Sequence, residues 1–135
     1  MATILTRGTF GAAIEASIDA LLSQLFYGVF TVTDNLVAHA GGGQASATLL
    51  PSSVNAVRTV ASPSDSVALP AASVGSLCIV LNATPNAMQV FAVNGTDTVG
   101  GAAGTVGVSQ PGKSIVLYAC VNAGAWGRKL GNVEV

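Results

Sequence analysis

Short apolar runs alternate with clusters of turn-forming residues over most of this chain. The runs are rich in Val, Ile, Leu and aromatic residues, which favour strands, while Gly, Pro, Asn and Asp fill the intervals. Seven strands are predicted beyond residue 44, at residues 54–60, 66–69, 76–81, 88–93, 105–108, 114–121 and 126–130. This spacing is typical of a sandwich or barrel, so we predict an all-β fold, a small antiparallel β-sandwich or barrel of about seven or eight short strands.

Two of the predicted strands are apolar on both faces. They lie at residues 77–81 and 115–121. A strand with one face in water would alternate apolar and polar residues. We therefore expect one face of these strands to lie in the domain core, and the other to be covered by a neighbouring subunit or by the N-terminal segment.

The N-terminal segment has a different pattern. Residues 1–10 have the composition of an extended arm, and residues 10–27 are predicted to form one amphipathic helix that ends at Gly28. The apolar stripe of this helix follows the rhythm of helix packing and comprises Ile14, Ile18, Leu21 and Leu25. Two interpretations stay open, because the stripe is short: it packs on the chain's own sheet, or it meets symmetry mates or another protein.

A glycine-rich run at residues 41–43 separates this segment from the strands. Residues 33–35 (Thr-Asp-Asn) are predicted to form a turn shortly before it. We interpret the glycine run as a hinge. The predicted organisation is an N-terminal arm, helix and hinge at residues 1–43 and a β domain at residues 44–135.

Charged residues are scarce. The chain has 135 residues, of which 50% are hydrophobic and 8% charged, with five Lys or Arg, six Asp or Glu, one His and a net charge of −1. Catalysis needs several ionisable groups in one pocket, so we expect no enzyme activity, no catalytic residues, no cofactor and no metal site.

Other partners and destinations are judged from the placement of the charges. The sequence has no basic stripe, so we expect no nucleic-acid binding. Glu15 and Asp19 interrupt the apolar stretch that a signal peptide would need. No transmembrane helix or membrane partner is predicted. A chain so poor in charge exposes uncharged surface, which favours self-association.

One motif matches a nucleotide-binding pattern. Residues 107–114 fit the P-loop consensus, which requires a helix directly after it. The residues that follow have the composition of a strand, so we interpret residues 110–113 as a turn with Pro111 and Gly112 at its centre.

Cys78 and Cys120 lie in apolar strands without metal-ligand spacing and are predicted to be buried free thiols. His39 has no catalytic partner nearby in the sequence.

A resemblance emerges from the turns and core positions between residues 44 and 126. The chain resembles a β domain common among virion structural proteins of tailed bacteriophages and prophages. It departs from that pattern in two places: residues 98–100 lack the Asn expected before the glycine, and Gly127 stands where an aromatic residue is common. The resemblance is carried by Gln44-Ala45, residues 55–60, residues 66–72, Gly75, Asn82, residues 88–91, residues 95–97, residues 112–114 and residues 124–126.

The resemblance implies a small trimer-forming β fold, most like a head decoration (cement) protein. The expected partners are other copies of the chain, as a homotrimer, and the major capsid protein, on the capsid surface of a virion assembled in the host cytoplasm. A tail fibre, spike or receptor-binding module is the alternative. We predict that the N-terminal segment grips the capsid or the adjacent trimer, through Ile4, Leu5, Phe10, Ile14, Ile18, Leu21, Leu25 and Phe26.

Overall fold

The computed structural model describes residues 30–132. Within that range the chain is almost entirely β, with one short 3-10 turn at Gln44–Ser46 and no α-helix. This confirms the prediction of an all-β protein. The strands, in chain order, are β1 (Val32–Val37), β2 (Thr48–Leu49), β3 (Val54–Thr59), β4 (Ser66–Leu69), β5 (Leu77–Asn82), β6 (Met88–Ala92), β7 (Thr98–Val99), β8 (Ala102–Ala103), β9 (Val108–Gln110), β10 (Ser114–Asn122) and β11 (Ala125–Asn132).

The strands form two sheets, and the first six strands alternate between them. Sheet A has the order β1-β3-β5-β10-β11-β7-β8, and sheet B has the order β2-β4-β6-β9. Strands β1, β3 and β5 pair in parallel, and so do β2, β4 and β6. The chain therefore winds in a solenoid-like path of three coils, each of which adds one strand to each sheet.

The last part of the chain closes the coil stack with antiparallel strands. In sheet B, β9 pairs antiparallel with β6, and in sheet A, β10 pairs antiparallel with β5 and then with β11. The short β7–β8 hairpin extends sheet A beyond β11. The third coil is thus covered on both sheets by strands that run against it.

The predicted antiparallel sandwich or barrel is not what the structure shows, because five of the nine strand pairs are parallel and the first six strands alternate between the two sheets. The predicted turn at residues 33–35 is wrong: these residues belong to β1, where Asn35 takes a left-handed conformation (φ 59°) at an irregularity of the pairing with β3.

The compact β unit begins at Val32. Residues 32–43, which we assigned to the N-terminal segment, are therefore part of it, whereas the predicted arm and helix lie outside the described residues.

The core lies between the two sheets. Its largest fully buried side chains include Trp126, Tyr118, Leu69 and Met88, with valines from both sheets filling the space around them. Gln110 is one of the polar side chains buried here, and both ends of its amide are hydrogen-bonded. The Gln110 side chain donates to the carbonyl of Val80 at 2.9 Å and accepts from the Tyr118 hydroxyl at 3.1 Å. An amide buried in this way costs little, because both of its ends are hydrogen-bonded.

The segment that matches the P-loop pattern connects the two sheets. It runs from β9 in sheet B to β10 in sheet A, so a strand rather than a helix follows it. The left-handed residue of the turn is Lys113 (φ 52°), not Gly112. Glycine is needed at position 112 for a different reason: a Cβ there would overlap the carbonyl of Pro85. The Lys113 ammonium donates to the carbonyl of Ala83 at 2.7 Å and thereby closes the turn.

Candidate interaction surface

The feature that stands out is the outer face of sheet A. Along β10, buried and exposed residues alternate: Val116, Tyr118 and Cys120 point into the core. The residues between them are also apolar but face away from it. Ile115 is 38% exposed and Leu117 39% exposed. Strand β5 repeats the pattern, with Leu77, Ile79 and Leu81 on the outside. The prediction that these strands are apolar on both faces is confirmed.

The registers of the paired strands align these residues into rows across the sheet. Opposite residues of neighbouring strands share a face, so each row can be followed from strand to strand. The longest row is Val32, Val54, Ile79, Leu117 and Lys129; the next ones are Ala56, Leu81, Ile115 and Gly131, and Leu77, Ala119 and Gly127. These three rows define the surface that we call the outer face. It is apolar on β5 and β10, carries the Asp34–Arg58 ion pair beside its apolar residues on β1 and β3, and reaches Lys129 on β11.

Sheet B has no comparable open surface. Its outward residues Ala68 and Phe91 are 3% and 7% exposed. The 3-10 turn packs against β4, and the Phe91 ring lies so close to Gly107 that a Cβ there would come within 2.8 Å of it. Sheet B is thus covered by the chain's own loops. Among the described residues, only sheet A leaves a broad apolar face open.

The free edge of sheet A, by contrast, is protected. Strand β1 pairs only with β3 among the described strands, and its other side is open. The irregular pairing around Asn35 interrupts the regular ladder of backbone groups, and Asp34 places a charge on the strand. Arg58 binds this carboxylate at 2.7 Å and holds the pKa of Asp34 below its usual range. Bulges and charges of this kind discourage the addition of another strand, so the face is better suited than the edge to binding a partner.

A groove borders the outer face on the side of β11. It has a volume of about 600 Å³, and its lining includes Ala119, Val121, Ala125, Gly127, Gly100 and Arg128. Most of these residues are small, whereas the neighbouring strands β5 and β10 carry leucine and isoleucine. The outer face therefore has a raised apolar part and a shallow part next to it.

The groups that could support chemistry are dispersed or occupied. Cys78 and Cys120 are free and buried, as predicted, and burial raises the pKa of the Cys78 thiol to about 12. The Asp65 carboxylate accepts hydrogen bonds from the backbone of Ala61 and from both the backbone and the hydroxyl of Ser62; the hydroxyl bond is the main reason that its pKa is lowered. Over residues 30–132, no three His, Cys, Asp or Glu side chains form a cluster that could hold a metal ion.

The interface residues predicted from the sequence, Ile4, Leu5, Phe10, Ile14, Ile18, Leu21, Leu25 and Phe26, all lie outside the described residues. Sequence reasoning missed the groove and Gly127 as parts of the surface. A glycine in the interior of a strand was the signal that could have indicated them, because glycine weakens strands and is retained there for a reason.

Comparisons with family models, with curated proteins and with solved structures find no match to this chain. Within the described part of the chain, no helix has the length and apolar character needed to span a bilayer.

Proposed function

We propose that this chain is a virion structural protein of a tailed bacteriophage, a capsid decoration protein that binds the assembled head as a homotrimer and stabilises it. The observation that carries the proposal is the apolar face of sheet A, which the other described residues leave open. An apolar patch of a few hundred Å² on a protein surface often marks an interaction site. A second apolar face on a sheet whose other face already lines the core is the expected property of a chain that assembles with copies of itself.

The dimensions of the outer face suit a three-fold arrangement. Its four apolar strands, at about 4.8 Å each, give it a width of about 19 Å. Three faces of that width, closed around an axis parallel to the strands, lie about 5.5 Å from the axis. This is close to the ~5 Å that one layer of side chains occupies when two sheets pack about 10 Å apart. The three apolar faces would thus fill the space around the axis without a cavity.

In this proposal, the N-terminal segment binds the capsid or an adjacent trimer through Ile4, Leu5, Phe10, Ile14, Ile18, Leu21, Leu25 and Phe26. A trimer carries three such segments, and simultaneous binding of several weak sites to one shell raises the total affinity strongly. Because the sites exist together only on the assembled shell, binding stabilises the shell against disassembly.

Two measurements test the proposal. Sedimentation velocity of the purified chain at micromolar concentration should give the mass of a trimer. Quantitative mass spectrometry and imaging of purified phage particles that encode the chain should then find many copies distributed over the head. A few copies at one vertex or on the tail would instead support the fibre or spike alternative, and a monomer absent from the particle would refute both.

A further inference from the structure

We propose that Asn94 is a site of spontaneous deamidation, and that its conversion to aspartate or isoaspartate loosens the loop at residues 93–97, which precedes β7. Asn94 is the one asparagine of the seven in the sequence that precedes a glycine; the others precede alanine, leucine or valine. A glycine leaves the backbone nitrogen after the asparagine unhindered, because it has no side chain. The reaction takes place within one chain, so it does not depend on the proposed homotrimer.

The modification needs only the chain and water. The Gly95 nitrogen attacks the side-chain carbon Cγ of Asn94 and gives up its proton; the Cγ–Nδ2 bond breaks, and Nδ2 leaves as ammonia with that proton. A water molecule then opens the cyclic imide at either carbonyl carbon, which yields aspartate or isoaspartate. No oxidant or reductant takes part. In isoaspartate the backbone runs through the former side chain and is therefore longer by a methylene group.

The surroundings of Asn94 favour the attack. Gly95 is exposed, and its N–H donates to no acceptor among the described residues, so no hydrogen bond has to break first. The Asn94 Oδ1 accepts hydrogen bonds from the backbone of Thr96 at 3.2 Å, from its hydroxyl at 3.0 Å and from the backbone of Asp97 at 2.8 Å. Negative charge develops on this oxygen in the tetrahedral intermediate, and donors placed around it stabilise that charge.

The amide that leaves also supports a buried carboxylate. Asp97 is 7% exposed, and its Oδ2 accepts hydrogen bonds from Asn94 Nδ2 at 3.1 Å and from the Ala72 backbone at 2.8 Å. In the described part of the chain it forms no ion pair. Through these two bonds Asp97 connects the loop before β7, in sheet A, to the segment that follows β4, in sheet B.

Deamidation replaces the donor by a second carboxylate. In aspartate an oxygen takes the place of Nδ2, so two negatively charged groups face each other where a hydrogen bond of 3.1 Å now joins them. Like charges at this distance repel each other. In isoaspartate the longer backbone also displaces the oxygen to which Thr96 and Asp97 donate. Either product removes one of the two partners of Asp97 Oδ2, and the loop loses its attachment.

Peptide mapping of the aged protein tests the site. The full chain is incubated in its folded state at mildly alkaline pH, and its proteolytic peptides are analysed by mass spectrometry. Conversion at Asn94 should be at least about tenfold faster than at any other asparagine, a factor equivalent to about 1.4 kcal/mol of activation free energy.

Gly95→Ala is the matched variant for the rate. Gly95 has an ordinary φ, and a Cβ added there would lie 3.6 Å from the Thr105 methyl group, so the fold accepts the new side chain. The added methyl group hinders the attacking nitrogen while the hydrogen bonds of Asn94 stay in place. Conversion at Asn94 should therefore slow at least about tenfold.

Asn94→Asp isolates the effect of the product on the fold. In urea unfolding at neutral pH, the equilibrium constant for unfolding should rise about 5–30-fold, the factor that corresponds to a loss of about 1–2 kcal/mol. Asn122→Asp is the control, because Asn122 is exposed and its side chain makes no hydrogen bond to another described residue. The same added charge should leave the unfolding midpoint there close to that of the wild type.

Two results would overturn the proposal. If Asn94 converts only after the chain is unfolded in urea, the fold protects the site and the surroundings do not favour the attack. If Asn94→Asp unfolds at the same urea concentration as Asn122→Asp, the product does not loosen the loop. Neither result bears on the homotrimer, which sedimentation velocity measures separately. Conversion at Asn94 that Gly95→Ala suppresses, together with a loss of stability confined to Asn94→Asp, would support the proposal.

Discussion

If the chain forms the proposed homotrimer, replacing Leu117 with glutamine should dissociate it while leaving the fold of each copy intact. Leu117 lies in the longest apolar row of the outer face and is 39% exposed in the single chain. Complete burial of a leucine contributes about 1.5–3 kcal/mol, so covering the remaining fraction contributes about 1 kcal/mol per copy. A glutamine amide that is buried there without a partner adds a penalty of about 1–3 kcal/mol.

The combined loss is about 2–4 kcal/mol per copy, or at least about 6 kcal/mol for a trimer. The midpoint concentration of a trimer varies with the square root of its dissociation constant, so it should rise at least about 100-fold. Folding of the single chain should lose no more than about 1–2 kcal/mol, because the monomer already covers part of the Leu117 side chain.

Sedimentation velocity over a range of concentrations measures the midpoint, and urea unfolding measures the stability of the fold. Leu49→Gln is the matched control, since Leu49 is 51% exposed and lies on β2 in sheet B. If Leu117→Gln and Leu49→Gln shift the midpoint equally, the outer face is not the interface and the reasoning is refuted.

Three further predictions concern the fold itself. Tyr118→Phe leaves the buried amide oxygen of Gln110 without a donor, so urea unfolding should show a loss of about 1–3 kcal/mol; no loss would mean that the amide finds another partner. The lowered pKa of Asp65 implies that its carboxylate stabilises the fold above its unfolded pKa of about 3.9, and that this contribution disappears as the pH falls through the folded pKa. Asp65→Asn should therefore flatten the decline of the urea midpoint on acidification, and an unchanged profile would contradict the assignment. The Cys78 thiol, whose pKa is raised to about 12, should resist alkylation in the folded protein at neutral pH and react once the chain is unfolded, as followed by intact-mass spectrometry.

Most of the strands were predictable because their local signals are strong. The bounds of β4 match the predicted residues 66–69, and β3, β5, β6, β10 and β11 differ from the predictions by one or two residues at their ends. These runs are apolar and bounded by turn residues, so the chain's local pattern is sufficient. Strand β1 was missed because Asp34 and Asn35 are typical turn residues; pairing with β3 and the Arg58 ion pair hold them in a strand.

The arrangement of the strands could not be predicted in the same way. The alternation of apolar residues tells which face of a strand is buried but not which strand lies beside it or in which direction it runs. Consecutive strands usually pair with each other, and that expectation led to an antiparallel fold. Here each connection among the first six strands crosses to the opposite sheet, so the partner of β3 is β5 rather than β4.

The candidate surface was predicted in part. The doubly apolar strands predicted an apolar outer face on β5 and β10, and Leu77 and Leu117 are exposed there. The cover predicted for that face stays a prediction. The groove depended on bringing Gly100, Ala119 and Gly127 together from three separate segments. That proximity arises from the parallel pairing of β7 with β11, which has no signature in the local sequence.

In the proposed homotrimer, the coil repeat would couple the length of the chain to the geometry of assembly. In a winding chain each coil contacts only the coils before and after it, so a related protein could gain or lose one coil while keeping both ends unchanged. One extra coil would widen the face by about 4.8 Å and move it about 1.4 Å further from a three-fold axis, opening a central channel. Duplication of a coil would thus change the number of copies that can close a ring without a gap at its axis.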